Sequence, residues 1–347
     1  MAFDHGAAFR AFRKTTECLD RNFAGKYFLI DGTLLGYARS GGFIPGDYDV
    51  DFGMFIEDYS PQILEDFKAA GFKHTSTLGT IESGYQLKFK YGKVRIDLVF
   101  YYREEDRIWN IVFPKAARYR AVYPRFDLSP VEFLGARVMA PSPPEAYLAA
   151  VYGPDWRRPV QRWNYKYMCH NFEDLNGPVI RGIYWLRNKI WHWKNPDPYL
   201  RRDGTRPKLV YTEGVFDLFH ANHSLLLKEA RAHGDSLVVG VVSDRMAASY
   251  KRRPIIPERE RLQIVQDHKS VDCAFILDGP VDSSTFDKAL RDWRPDVVVY
   301  AGGGQGRFDD YFRTAIEGGF YVDLPYHDGT STSQIVARIR GTDKARD

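Results

Sequence analysis

The sequence predicts an α/β two-domain protein, with an α+β N-terminal half and a C-terminal half built on a doubly wound parallel sheet. Three observations predict it. The chain has 347 residues, long for one core and comfortable for two. Turn and linker residues crowd one internal zone. Only beyond that zone do apolar, β-branched runs alternate with helical patterns, the rhythm of a parallel sheet covered on both faces. The predicted divisions are 1–172, a linker helix region at 173–206, and 207–347.

Taken in order, Tyr27-Phe28-Leu29-Ile30 reads as a strand that stops at an Asp31-Gly32 turn. Val50 and Phe52 alternate with Asp49 and Asp51, the period of a strand with two unlike faces. Residues 61–70 read as a helix with Ile63, Leu64, Phe67 and Ala70 on one face. Residues 86–90 and 94–100 read as strands joined by a hairpin-like Tyr91-Gly92-Lys93 turn. A Pro-Ser-Pro-Pro stretch at 141–144 precedes a helix holding Tyr147 and Leu148. The linker zone carries Asn176-Gly177-Pro178, Asn195-Pro196-Asp197-Pro198 and Asp203-Gly204-Thr205-Arg206-Pro207. Between the first two lies a helix from Val179 to Lys194, with Trp185, Trp191 and Trp193 beside Arg181, Arg187, Lys189 and Lys194. Two readings stand for it. Packing between domains with its basic side in water is favoured over peripheral contact with a membrane surface. Beyond the linker, strands at 209–211, 236–242, 273–277 and 296–300 alternate with helices at 222–233, 257–268 and 284–293.

Composition narrows the function. A chain 44% hydrophobic and 27% charged is an ordinary globular protein and not a disordered one. A net charge of +4 suits anionic substrates but not a dedicated nucleic-acid binder. Cys18, Cys169 and Cys273 are odd in number and far apart. They read as free thiols in a reducing, cytoplasmic setting, with no cysteine metal site. The first residues lack a basic-then-apolar pattern, so no secretory signal is expected, and no run approaches ~18 apolar residues.

Two constellations carry chemistry. On a strand, Asp49 and Asp51 project to one face, and Asp97 lies in another strand-like run. Close carboxylates repel unless a divalent cation sits between them, and hard oxygen ligands suit Mg²⁺ or Mn²⁺. Asp47 is a fourth candidate ligand, and the Gly32-Thr33 turn a candidate phosphate holder. The second constellation follows the first strand of the C-terminal half. Gly214, Phe216, Asp217, His220 and His223 lead into a helix whose N-terminus offers free N–H groups and a positive dipole end to phosphate. Imidazoles there can donate to a phosphate whose charge grows during displacement.

The segment from Asp31-Gly32-Thr33-Leu34-Leu35-Gly36 through Gly42-Phe43-Ile44-Pro45-Gly46-Asp47-Tyr48-Asp49-Val50-Asp51 resembles the LicD and fukutin-related phosphotransferases, within the polymerase-β-like nucleotidyltransferase superfamily. Gly46 stands where that family keeps a tryptophan, and Tyr147-Leu148 through Trp156 resembles its closing element. The resemblance implies a nucleotidyltransferase-like α+β domain. Such a domain moves a phospho-alcohol or phospho-amine group from a CDP carrier to a glycan hydroxyl, lipid-linked glycans included.

The C-terminal third resembles the cytidylyltransferases for glycerol 3-phosphate, phosphoethanolamine and phosphocholine. Its landmarks are Gly214-x-Phe216-Asp217-x-x-His220-x-x-His223, Val239 to Asp244, Lys251 to Arg261, and Gly329-Thr330-Ser331-Thr332-Ser333. This implies a Rossmann-like doubly wound parallel sheet and a homodimer. CTP and a small phosphorylated alcohol or amine would be the substrates, with Mg²⁺ bound largely through the CTP phosphates. His220 and His223 would stabilise the transition state, and Lys251 would neutralise charge at the α-phosphate. Ser331, Thr332 and Ser333 would hold the outer phosphates, with Glu260 and Arg261 near the nucleotide. Three departures stand out. Asn222 replaces a glycine, Tyr326-His327-Asp328 replaces a segment with an arginine, and Ala301-Gly302-Gly303-Gly304 replaces an acidic element. Together the halves suggest a bifunctional enzyme of surface-glycan decoration at the inner face of the membrane. The alternative is a single catalytic domain, the C-terminal one being a nucleotide-binding regulatory module or using another nucleotide.

Overall fold

The computed structural model describes residues 5–44, 49–114, 117–160, 163–194, 205–301, 308–325, 327 and 329–341. The chain divides into two compact units, residues 1–156 with 161–198 and residues 157–160 with 199–347.

The first unit runs α1 (His5–Phe23), β1 (Tyr27–Leu29), α2 (Asp31–Ser40), β2 (Asp49–Phe55), α3 (Gln62–Ala69), β3 (Lys73–Thr80), β4 (Gly84–Tyr91), β5 (Val94–Arg103), β6 (Arg107–Val112), β7 (Tyr119–Pro124), β8 (Asp127–Phe133), β9 (Ala136–Ser142), α4 (Pro144–Tyr152), α5 (Tyr165–Met168), β10 (Phe172–Asp174) and α6 (Pro178–Lys194). Its mixed sheet has the order β10-β7-β6-β5-β2-β1-β9-β8, with β4 also on β5 and β3 on β4. Strand β1 runs parallel to β9, and β2 parallel to β5. Helix α1 buries Ala8, Phe12, Thr15, Thr16, Leu19 and Phe23, a helical stripe against this sheet. Phe12 stacks on Phe52 at 5.7 Å and meets Phe133 edge-on at 5.3 Å. The hairpin between β4 and β5 turns at Gly92, whose φ of 59° a glycine adopts without steric cost. The expected Asp31-Gly32 turn is instead the opening of α2, and the helix closes at Gly41 with φ 68°.

The second unit runs β11 (Leu209–Gly214), α7 (Ala221–Ala232), β12 (Ser236–Val242), α8 (Asp244–Tyr250), α9 (Glu258–Gln266), β13 (Cys273–Leu277), α10 (Ser283–Trp293), β14 (Val297–Ala301), α11 (Asp309–Glu317), β15 (Tyr321–Leu324) and α12 (Thr332–Ile339). Its strands pair in parallel in the order β13-β12-β11-β14-β15. Every residue of β12 is buried, as its unbroken apolar run requires. Two apolar layers cover the faces. One contains Phe286, Trp293 and Phe312, and the other Leu227, Val239 and Val265. This is the doubly wound Rossmann-like sheet. Strand order reverses between β11 and β14, and the crevice at the carboxyl ends of those strands is where such sheets bind ligands.

Candidate functional site

In the first unit, the parallel register of β2 and β5 sets Asp51 opposite Asp97 and Asp49 opposite Arg95. Asp49 and Asp51, two apart, share a face. The three carboxylates accordingly converge, with one oxygen from each lying within 4.8 Å of the others. Like charges this close repel one another. Lys88 donates to Asp97, and Arg95 donates to Asp49 at 2.8 Å, offsetting part of that repulsion. Three hard oxygen donors on adjacent, hydrogen-bonded strands fit a divalent cation such as Mg²⁺ or Mn²⁺. Asp47 lies outside the described residues.

Gly32 and Thr33 occupy the first turn of α2, where the N-cap is Ile30, a residue without a side-chain acceptor for the leading N–H groups. The buried Thr33 hydroxyl accepts the Asp51 N–H at 2.8 Å and so ties β2 to α2. Asp31 joins the cluster from the start of α2, with a left-handed φ of 42°. Burial pushes its carboxyl up to about 6, the Tyr147 hydroxyl opposes the rise, and the charges of Asp49 and Asp97 add to it. Tyr147 donates to Asp31 at 2.9 Å, and Tyr101 lies 2.6 Å from the Tyr147 hydroxyl. Sequence reasoning read Asp31 as a turn residue opening the LicD-like motif and gave it no site role. The available signal was a carboxylate ending a fully apolar strand.

In the second unit, β11 ends at Gly214, and a side chain there would come within 3.1 Å of the Phe216 ring. The chain then turns through left-handed Phe216 (φ 54°) and Leu218 (φ 47°) before His220 caps α7. This turn places His220 and His223 ring to ring, with centroids 3.8 Å apart. Burial, His220 and Lys251 together lower His223 to about 3 against the pull of Asp217, and burial lowers His220 too. Both rings are therefore neutral donors at neutral pH. Thr332, first residue of α12, lies 3.4 Å from the His220 ring nitrogen and donates to the Asp217 carbonyl at 2.8 Å. Ser331 caps α12 by accepting from Gln334, whose side chain accepts in return from the Ser331 N–H. Ser333 is exposed in the first turn of α12.

Asp217 is buried and accepts the N–H groups of Ile255 and Ile256 at 3.0 Å each, anchoring the segment that follows exposed Lys251. Glu260 is exposed on α9. Arg261, the next residue, is fully buried. Its guanidinium donates to Ile256, Val215 and Val242 carbonyls and, at 2.6 Å, to Asp244. It cross-links the walls of the crevice. Asn222 donates to the His327 carbonyl at 3.0 Å, joining α7 to the segment before α12. Tyr326, Asp328 and residues 302–304 lie outside the described residues.

Sequence reasoning missed Glu213. This carboxyl is buried beside Gly214, and burial pushes it up to about 7 despite the hydrogen bond from Tyr211. The Tyr211 hydroxyl donates at 2.6 Å, and Tyr250 and Tyr311 both feel the Glu213 charge. Its cross-strand neighbour is Gly240, where a side chain would meet the Tyr211 hydroxyl and Glu213 itself. A carboxylate within the run Leu209–Gly214 was the signal.

Residues 25–143 match the family described as LicD/FKTN/FKRP, nucleotidyltransferase domain, and residues 211–309 match the family described as Cytidylyltransferase-like. The chain thus carries a LicD domain followed by a cytidylyltransferase-like domain. The chain is similar to the Ribitol-5-phosphate transferase FKTN of Mus musculus, 35% identical over 144 residues, 40% of this chain and 31% of that protein. It is also similar to the Ethanolamine-phosphate cytidylyltransferase of Arabidopsis thaliana, 33% identical over 138 residues, 39% of this chain and 32% of that protein. The Bifunctional protein HldE of Helicobacter pylori is 31% identical over 143 residues, 39% of this chain and 28% of that protein. The chain spans about a third of the length of each of these relatives.

Proposed function

We propose that the chain is a bifunctional transferase. The C-terminal domain joins CTP to a phosphorylated amine and releases pyrophosphate, and the N-terminal domain passes the phospho-group from the CDP carrier to a glycan hydroxyl. In this reading residues 1–172 form the transfer domain and residues 207–347 the activating domain. The observation that carries it is the stacked pair His220 and His223 at the carboxyl end of β11, with Thr332 of α12 beside it.

In the activating step, a phosphate oxygen of the amine substrate attacks the α-phosphorus of CTP. A new P–O bond forms and the bond to the β-phosphate breaks, so pyrophosphate leaves with the electron pair. His220 and His223 donate to oxygens on which charge builds, and the N-termini of α7 and α12 cradle phosphates. Lys251 supplies a fixed positive charge. In the transfer step, the glycan oxygen attacks the phosphorus bearing the amine, the phosphate bridge breaks, CMP leaves, and the hydroxyl proton passes to water. Asp49, Asp51 and Asp97 would hold Mg²⁺ or Mn²⁺, which supplies Lewis-acid polarisation of the phosphate.

Glu213 favours an amine over a polyol. A buried carboxylate ringed by Tyr211, Tyr250 and Tyr311 is costly alone and is offset by a cationic head group. The similarity to an enzyme named for ethanolamine phosphate supports the same choice. A second reading, nucleotide binding without turnover, draws on Asn222, which puts a hydrogen-bonded side chain where the resembled family keeps none.

The test is pyrophosphate release by the full chain with CTP and Mg²⁺ against phosphoethanolamine, phosphocholine and glycerol 3-phosphate. Release with a phospho-amine, at least tenfold above glycerol 3-phosphate, is the expected result. CTP binding without release from any of the three selects the second reading.

A further inference from the structure

Helix α6 presents an apolar stripe that the fold of its own unit does not use. It packs inward through Tyr184, which is buried and donates to the Pro114 carbonyl, and through Trp191, which stacks on Tyr167 at 5.3 Å. Val179, Ile183, Leu186, Ile190 and Trp193 are all exposed, Val179 and Trp193 by 76% and 80%. Their spacing alternates between four and three residues. At about 100° per residue the five fall within an arc of roughly 80°, along some 21 Å of helix. Arg187 and Lys194 flank one side of that arc and Lys189 the other. Trp185, 62% exposed, extends the apolar surface beyond Lys189, whose ammonium lies 5.8 Å from its ring. Arg181, on the opposite face, pairs with Asp174 at 3.3 Å. The helix contains no Asp or Glu.

We propose that α6 lies in the surface of an anionic lipid bilayer, its stripe among the acyl chains and its flanking cations on the lipid phosphates. The geometry is that of an interfacial helix, in which long basic side chains reach outward from the rim of the apolar face and tryptophans sit at head-group depth. Charge decides between occupants. A second copy laid on the stripe would set cationic flanks against cationic flanks, which repel. An anionic surface instead attracts Arg187, Lys189 and Lys194 together. The helix would hold the chain at a surface without crossing it, since no helix among the described residues is long and apolar enough to span. The placement stands apart from either catalytic reading.

The experiment is flotation of the full chain with vesicles of phosphatidylcholine containing a third phosphatidylglycerol, and with pure phosphatidylcholine vesicles. The tryptophan emission is read alongside. The expected result is binding to the anionic vesicles with a blue shift, at least tenfold weaker on pure phosphatidylcholine and weaker again at high salt. Ile183→Asp with Ile190→Asp should reduce binding at least tenfold. Lys189→Glu, a change at a solvent-facing position that spares the fold, should reduce it severalfold with unchanged melting. Absence of wild-type binding to anionic vesicles overturns the proposal. So does binding that survives both variants.

Discussion

On the proposed function the two sites would handle phosphate charge with opposite materials. The first unit gathers negative charge. Asp49, Asp51 and Asp97 converge, half-buried, on two interior strands, with Lys88 and Arg95 beside them. The second unit gathers neutral donors. His220 and His223 are stripped of charge by burial, and two helix N-termini supply the positive potential. A carboxylate cluster is useless to phosphate until a cation enters it. An imidazole pair at a helix N-terminus is ready beforehand. On the proposed function, the difference means that the transfer step would lean on a metal held by the protein. The activating step would lean on the protein itself, with any cation arriving on the nucleotide.

That contrast can be broken most sharply by crossed substitutions. Asp51→Asn should lower transfer from a supplied CDP carrier by about a thousandfold and leave pyrophosphate release within a factor of two. His223→Ala should do the reverse, lowering pyrophosphate release by about a hundredfold to a thousandfold. Next in size is a structural effect peculiar to the second unit. Arg261→Ala removes a fully buried guanidinium and strands Asp244 and three carbonyls. The expected cost is about 3–5 kcal/mol, read as a lowered Tm of that unit by calorimetry.

Glu213→Gln sharpens the comparison further, since it removes a buried carboxylate from the unit that otherwise gathers neutral donors. The KM for the phospho-amine should rise roughly tenfold or more, with kcat nearly unchanged, as for lost ground-state binding. Stability should move the other way. Glu213 has its carboxyl raised from 4.5 to about 7, so the native state holds a proton that the unfolded chain has lost. Stability therefore falls as pH rises from 4.5 to about 7, and the glutamine variant should melt higher than wild type at pH 8 but not at pH 4.

The opposite sign belongs to His223. Its folded value of about 3 lies below the ordinary 6.5, so the unfolded chain binds the proton first as pH falls. Stability is present above 6.5 and is lost down to about 3, and His223→Gln should flatten the acid side of the melting profile.

How much of this was legible varied with burial. The parallel sheet of the second unit shows in sequence because Leu237 to Val242 and Val297 to Val299 are unbroken apolar runs, which only a two-sided core demands. The meander of the first unit does not show. Strand β3 is mostly exposed and β8 largely half-buried or exposed, so Lys73–Thr80 and Asp127–Phe133 lack a clean alternation, and pairing with neighbours holds them instead. The acidic triad was legible because period two and a parallel register leave little freedom to Asp49, Asp51 and Asp97. Helix α2 was hidden because Ile30 caps it without a side-chain acceptor, leaving Asp31-Gly32 to look like a turn. Arg261 showed as part of a motif, but its buried place among carbonyls depends on tertiary packing that no spacing reports. Glu213 escaped because a single acid beside a motif carries no pattern until Tyr211, Tyr250 and Tyr311 are seen around it.

The central claim is that two independent chemistries share one chain. It is tested most directly by pyrophosphate release from CTP and phosphoethanolamine in the full chain, compared across wild type, His223→Ala and Asp51→Asn. The account predicts release by wild type and Asp51→Asn alike, and its loss in His223→Ala with the fold intact by circular dichroism. Equal loss in both variants, or undiminished release by His223→Ala, would contradict it.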